Sequence, residues 1–431
     1  MLTLPVDFIN RMKKQLGQDA PAFFACYEQQ PQRGLRVNSL RLSPEKFKAI
    51  SPWGLVPLDI LPEGFVLSTD TTAIGSHPYH LAGMFYLQEP SAMAPIAKAN
   101  VQPGMSVLDL CAAPGGKSGG LAARMAGEGL LVANELVPSR AKTLRYNLER
   151  LGIANAAVTC TKPDILCEAL PGYFDVVLVD APCSGEGMFR KYPSAAEEWS
   201  LAHVIACAQR QNAILESAAK AVKEGGILVY STCTFSPEEN EGVAESFCVA
   251  HPNFKQVDMH RLYPHSFPGE GHFVAIFQRT DEVPNKQKNP QSLSFSPCKE
   301  APFREFCAGA LEAPLSGETV VLLDGRVLVL KEALPKGLER VRVLTAGVYA
   351  GDMMAGRFQP SHALAMAAEA QWQQTISLER EKQSEYLHGQ VVPVEGVKGW
   401  CRVAVEGYPL GLGKAVDGML KNHLPKGLRL L

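Results

Sequence analysis

The sequence predicts an α/β fold built on a doubly wound parallel sheet, and three observations carry that reading. Between residues 105 and 279 apolar runs alternate with amphipathic ones, as strands alternate with helices. Within that region Val107 to Ser118 reads VLDLCAAPGGKS, a buried strand end, a small-residue loop and a helix start. Acidic residues stand just after several of the apolar runs, at the strand ends where open α/β sheets bind ligands. The flanks differ in kind: a small α+β unit precedes this region and a β-rich one follows it.

In order, residues 5–30 predict two short helices. Phe8, Met12 and Leu16 recur at i, i+4 spacing, and Phe23, Phe24 and Tyr27 make a second apolar face. A strand begins at Arg36-Val37-Asn38, and Ser43-Pro44 suits the N-cap and first position of a helix over 44–50. Short elements continue through Phe65-Val66-Leu67, and a helix is expected over 92–98. Strands then follow at 105–110, 130–134, 156–159, 174–180, 226–231 and 272–278, with helices near 118–126, 138–151, 203–223 and 237–250. The Pro-bearing stretch 258–271 reads as irregular. Residues 280–300 are polar and read as a linker. Beyond them, 320–330 (VVLLDGRVLVL) predicts a hairpin on an Asp324-Gly325 type I′ turn. A helix over 362–372 and short strands between 390 and 406 complete a small β-barrel-like unit. The expected divisions are 1–90, 91–282, a linker at 283–300, and 301–431.

A chain of 431 residues, 46% apolar and with a formal net charge of −2, is a globular protein of roughly three domains rather than a uniformly basic nucleic-acid coat. The N-terminal MLTLPVDFINRMKKQLG lacks a signal-peptide block, and no apolar run is long enough for a membrane span, so a cytoplasmic protein is expected. Eleven cysteines without CxxC pairs fit reduced thiols and no metal site. Charge is uneven. Residues 1–50 carry Arg11, Lys13, Lys14, Arg33, Arg36, Arg41, Lys46 and Lys48 against four acids, and the tail adds Lys414, Lys421, Lys426 and Arg429 against Asp417. Such ends suit contacts to phosphates as well as an ordinary solvated surface.

The loop after the first core strand fits neither common phosphate motif. A Walker A loop needs glycine where the chain has Cys111, and the G-x-G-x-x-G spacing is absent. Small residues still admit a ligand close to the backbone, and a helix start offers free N–H groups. Glu135 ends the second strand, placed for ribose hydroxyls, with Arg140 in the first turn of the next helix near the same rim. Asp164 follows the third strand, where it can receive an adenine amino group. The fourth strand ends in Asp180-Ala181-Pro182-Cys183 and the fifth in Tyr230-Ser231-Thr232-Cys233. Two cysteines at neighbouring strand mouths suggest nucleophilic chemistry. The plainer role, a small core hydrophobe, is assigned to Cys111, Cys160, Cys207 and Cys248.

DLCAAPGGKS, VDAPCSGEG and YSTCTFSPEEN, in this order and spacing, resemble the RNA cytosine-5 methyltransferases of the Sun/Fmu type, and LQEPSAMAP and GHFVAIFQ match as well. The ending GYPLGLGKAVDGMLKNHLPKGLRLL is similar to the tail of the RsmF branch, which modifies small-subunit ribosomal RNA. The resemblance implies a Rossmann-like class I methyltransferase core, an RNA-binding N-terminal domain and a PUA-like C-terminal domain. It implies S-adenosylmethionine as cofactor, held by Cys111, Ala112, Ala113, Pro114, Gly115, Gly116, Lys117, Glu135, Asp164 and Asp180. It further implies Cys233 as nucleophile, Cys183 as an aid to release, and Asp180 as a hydrogen-bond partner of cytosine N3. The stretch between Glu135 and Asp180 matches the family least closely. The implied partner is 16S ribosomal RNA or the small ribosomal subunit, engaged by a monomer. Transfer RNA as substrate, and a non-catalytic RNA-binding assembly factor, stand as alternatives. DNA cytosine methylation is disfavoured because those enzymes attack through a Pro-Cys thiol and lack Thr-Cys. Pro182-Cys183 has that form, which makes Cys183 a rival nucleophile. Cys111 disfavours a P-loop ATPase.

Overall fold

The computed structural model describes residues 3–68, 73–280, 291–295 and 300–430. At its centre lies an eight-stranded sheet. Its strands, from one edge to the other, are Phe254–Leu262, His272–Arg279, Val222–Thr232, Phe174–Asp180, Ser106–Asp109, Leu130–Asn134, Ala156–Thr159 and Val343–Ala346. The five strands from Val222–Thr232 to Ala156–Thr159 run parallel. Helices cover both faces, which is why these strands read as continuous apolar runs. Val107 and Val176 pack into the core on one face, and their neighbours Leu108 and Val177 into the core on the other.

The sheet is mixed, not wholly parallel. His272–Arg279 and Phe254–Leu262 add antiparallel on one side. Phe254–Leu262 therefore replaces the irregular segment expected from residue 258, whose Pro-bearing part shrinks to the turn before His272. On the other side Val343–Ala346 adds antiparallel to Ala156–Thr159, so the C-terminal part of the chain supplies one edge of the central sheet. Most core helices fall within two residues of expectation. Pro138–Leu151 opens on proline and stops at Gly152, whose φ of +77° is the left-handed conformation that ends a helix cheaply only in glycine. The helix expected over 237–250 starts only at Glu241, residues 236–240 being a turn closed by the Ser236 carbonyl.

Val6–Leu16 and Ala20–Ala25 form the two N-terminal helices. Their apolar faces do not close on each other alone: Phe8 and Phe23 pack with Phe189, Trp199 and Phe235 of the central region, Phe8 against Phe189 at 5.1 Å and Phe23 against Phe235 at 5.2 Å between ring centroids. A four-stranded antiparallel sheet follows, and Ser43 caps Pro44–Ile50 by accepting from the Lys46 N–H. Of the stretch read as a linker, 281–290 and 296–299 lie outside the described residues. Residues 291–295 lie along the protein, Leu293 N–H donating to the Leu334 carbonyl. The C-terminal part holds a four-stranded and a five-stranded sheet. Its first hairpin joins Glu318–Val321 to Arg326–Leu330, but the turn is not type I′: Gly325 has φ of +86° while Asp324 stays at negative φ. The helix expected over 362–372 is only His362–Met366.

Candidate active site

The parallel strands end on one rim, and the residues singled out above gather there. After Ser106–Asp109 the loop 111–115 leads into the helix Gly116–Arg124. Gly115 has φ of +109°, and a Cβ on Gly116 would stand 2.9 Å from the Tyr86 ring, so both positions require glycine. The loop is braced from outside. Arg140 Nη2 donates to the Ala113 carbonyl at 3.0 Å and Asn147 Nδ2 to the Pro114 carbonyl at 2.8 Å. Arg36 Nη1 donates to the Gly116 carbonyl at 2.6 Å and also reaches Gln88.

Arg36 thus corrects part of the basic-patch reading. Its side chain is buried, and burial lowers its pKa to about 10. Arg41 is likewise turned inward to the Met366 carbonyl, and Arg11 is paired with Glu238 at 2.5 Å. These three cations hold the protein together and are not free for phosphates.

Beneath the loop, buried Asp109 accepts from Ser118 Oγ at 2.6 Å, and burial pushes its carboxyl up to about 7. Glu135 sits 5% exposed at its strand end, with Oε1 accepting from the Val137 N–H at 2.8 Å and Oε2 3.5 Å from Arg140. Its carboxylate retains acceptor sites beside the glycine loop, which suits a vicinal diol. The donor set therefore fits a nucleoside cofactor. Asp164 is exposed in the first turn of Pro163–Ala169, the helix that follows the strand Ala156–Thr159. Cys111 keeps some exposure, and burial raises its thiol pKa.

Asp180 ends its strand beside the next feature. Lys117 Nζ lies 2.7 Å from Oδ2, Ser231 Oγ donates to Oδ1 at 2.8 Å, and His272 Nε2 stands 3.6 Å from the same oxygen. Burial opposes ionisation of Asp180, but Lys117 and His272 outweigh it and hold the carboxyl well below its usual range. Burial also opposes the charge on Lys117, and Asp180 more than compensates. The pair is ionised.

Three residues beyond Asp180, Cys183 Sγ meets Cys233 Sγ at 3.2 Å. The hydrogen bond with Cys233, reinforced by burial, raises the Cys183 pKa far above a free thiol's. Two buried glutamates hold the cysteine loops together. Glu186 accepts from Phe235 N–H at 2.8 Å, Ser236 Oγ at 2.7 Å and Trp199 Nε1 at 2.9 Å. Glu239 accepts from Ser184 N–H at 2.9 Å and Gln211 Nε2 at 2.8 Å. Each therefore ties the loop after one cysteine to the loop after the other. Sequence reasoning did not single out Ser231, His272, Glu186 or Glu239, and it read Arg36 only as part of a basic end. The two glutamates lie inside quoted motifs, GEG and SPEEN, which was the available signal.

Four family models match successive parts of the chain: the N-terminal domain of 16S rRNA methyltransferase RsmF over residues 4–90, 16S rRNA methyltransferase RsmB/F over 97–278, the RsmF first C-terminal domain over 305–367 and the RsmF PUA domain over 373–430. A "Ribosomal RNA small subunit methyltransferase F" from Shewanella oneidensis is 33% identical across 99% of this chain and 98% of its own length. One of the same name from Vibrio cholerae is 34% identical, with the same coverage. Among solved structures, a methyltransferase homologue from Pyrococcus horikoshii is 29% identical with a TM-score of 0.58, over 64% of this chain and 96% of that one. NSun6 from Pyrococcus horikoshii, at 21% identity and a TM-score of 0.58, shares the fold over 64% of this chain and 99% of its own.

Proposed function

The chain belongs to the RsmB/F family of 16S rRNA methyltransferases, and from that premise we propose that it methylates carbon 5 of a cytosine in 16S ribosomal RNA through a covalent Cys233 adduct. The observation that carries this reading is the pair of thiols at 3.2 Å beside an ionised Lys117–Asp180 pair, on the rim that holds the glycine loop. S-adenosylmethionine is the cofactor and supplies the methyl group. Cys111 to Lys117 and Glu135 would hold it, with Arg140 bracing the loop.

Carbon 5 of cytosine is too weak a nucleophile to be methylated unaided. Addition of the Cys233 sulfur to carbon 6 makes it an enamine carbon. The Cys183 thiol, 3.2 Å from Cys233 Sγ, is placed to hydrogen-bond the sulfur that attacks and later leaves. Because Asp180 is ionised, it accepts a hydrogen bond and does not donate one. A proton that solvent delivers to ring N3 as Cys233 adds would therefore be held by the Asp180 carboxylate, beside the Lys117 ammonium, and returns to solvent when Cys233 leaves. Once carbon 5 carries the methyl group, loss of its proton and expulsion of Cys233 restore the ring, with Cys183 assisting release. The target base must be unpaired or flipped to reach the rim. The proposed working unit is a cytoplasmic monomer acting on the small ribosomal subunit, and among the described residues no helix is long and apolar enough to cross a membrane.

Bisulfite mapping of 16S RNA from cells with and without the gene tests the reaction. A cytosine protected only when the protein is present is expected. Unchanged protection, with methyl label found at another ring position or in transfer RNA, would overturn the assignment.

A further inference from the structure

We propose that Lys142, Arg145, Arg326 and Arg342 form a second RNA contact, a cleft for backbone phosphates at the seam between the central sheet and the C-terminal part. The inference rests on RNA being the substrate and adds where, away from the reacting base, that substrate is held. The four cations, with Val343 and Leu344, line an open cleft of about 320 Å³. Lys142 and Arg145 project from Pro138–Leu151. Arg342 immediately precedes the added edge strand Val343–Ala346, and Arg326 opens the strand Arg326–Leu330. Neither part of the chain makes the cleft without the other.

Its position suits an extended polyanion. The Cys160 N–H, just past the end of Ala156–Thr159, donates to the Arg342 carbonyl at 2.9 Å, so Arg342 stands on the rim that carries Asp180. Four strand spacings separate the Phe174–Asp180 strand from Val343–Ala346, about 19 Å across the rim. A strand of RNA with one base at Cys233 crosses that distance within a few nucleotides. The charge is also available. Arg145 is shared with Glu149 at 3.4 Å and Arg326 with Asp324 at 2.8 Å, but Lys142 and Arg342 have no acidic partner among the described residues and are exposed. Arg145 and Arg326 both act on the Tyr349 hydroxyl, working against the burial that raises its pKa, so the two converge on one place. Phosphate contacts of this kind position a nucleic acid without reading its sequence.

The test compares Lys142→Ala/Arg342→Ala with Lys220→Ala/Lys223→Ala, which removes the same charge from exposed lysines at the opposite end of the sheet. Binding of 16S rRNA and of small ribosomal subunits is measured across salt concentrations, with S-adenosylmethionine affinity by calorimetry and tritium transfer in parallel. The cleft variant is expected to bind RNA roughly tenfold more weakly at low salt, with a log–log salt slope shallower by about 1.4–1.8 and unchanged cofactor affinity. The control variant should match the parent protein. Equal losses in both variants, or none in either, would overturn the cleft. If the parent protein binds RNA with this cleft-dependent slope but never methylates it, the cleft stands and the catalytic reading falls. If it methylates RNA and the cleft variant binds as tightly, the cleft alone falls.

Discussion

In the proposed mechanism Cys233→Ala removes the attacking sulfur, so neither a covalent RNA adduct nor a methylated product is expected. Cys183→Ala leaves that attack possible but slows release, so an adduct should accumulate on denaturing gels. An adduct in Cys233→Ala that vanishes in Cys183→Ala would exchange the two roles. Glu135→Ala should weaken S-adenosylmethionine by about 1–3 kcal/mol, the range for hydrogen bonds to a charged acceptor. Unchanged calorimetric affinity would remove Glu135 from the site. Asp109 gives a pH prediction. Its folded pKa is about 7, above the usual value of an unfolded aspartate, so the native state holds an extra proton between roughly pH 4 and 7. Its contribution is greatest below pH 4 and is lost as pH rises towards 7. Asp109→Asn keeps an oxygen for Ser118 and should flatten that dependence, read as urea midpoints at pH 5 and pH 8. Parallel midpoint curves for the two proteins would show that Asp109 does not titrate there.

Among the elements, the loops after Cys183 and Cys233 are joined more firmly by Glu186 than by the cysteines themselves. Glu186→Ala leaves three buried donors without an acceptor and should cost roughly 3 kcal/mol or more of stability. Glu186→Gln keeps one oxygen and should fold better while still lowering kcat more than it raises KM, because the thiols lose their fixed spacing. A Gln variant with the parent's kcat would confine Glu186 to stability. The parallel strands were legible because burial on both faces leaves an unbroken apolar run such as Phe174–Asp180. Phe254–Leu262 was not, because it is an edge strand whose Lys255, Gln256 and His260 face solvent and carry no core signal. Val343–Ala346 is four residues long and pairs with a strand far earlier in the chain, so no local pattern could place it. The glycine loop was legible for the opposite reason, since its chemistry is contiguous. Arg36 and His272 reach the same site from distant elements, and Arg36 read as surface charge because its burial depends on packing alone.

At the scale of the whole molecule, the C-terminal part shares a core with the central sheet. Leu328, Leu330, Leu334, Leu338 and Ala346 belong to the same buried cluster as Leu108, Val132 and Val177 of the central sheet. From sequence, removing 301–431 is expected to spare cofactor binding and weaken RNA binding. The structure adds a cost: the cut strips one wall of that cluster and unpairs the backbone of Ala156–Thr159. The truncated protein should unfold at lower urea and self-associate in light scattering, because an unpaired apolar edge is a template for another chain. A monodisperse truncation with the parent's midpoint would mean that the seam contributes little.

That same added strand sets a schedule for synthesis. The strand Ala156–Thr159 leaves the ribosome long before Val343–Ala346 exists, and at 5–20 residues per second the intervening chain takes roughly 10–40 s to make. Throughout that interval the nascent enzyme carries an open edge. Its catalytic sheet becomes complete only when about four-fifths of the polypeptide has been translated, and in a crowded polysome the neighbours within reach of that edge are unfinished copies of the same protein.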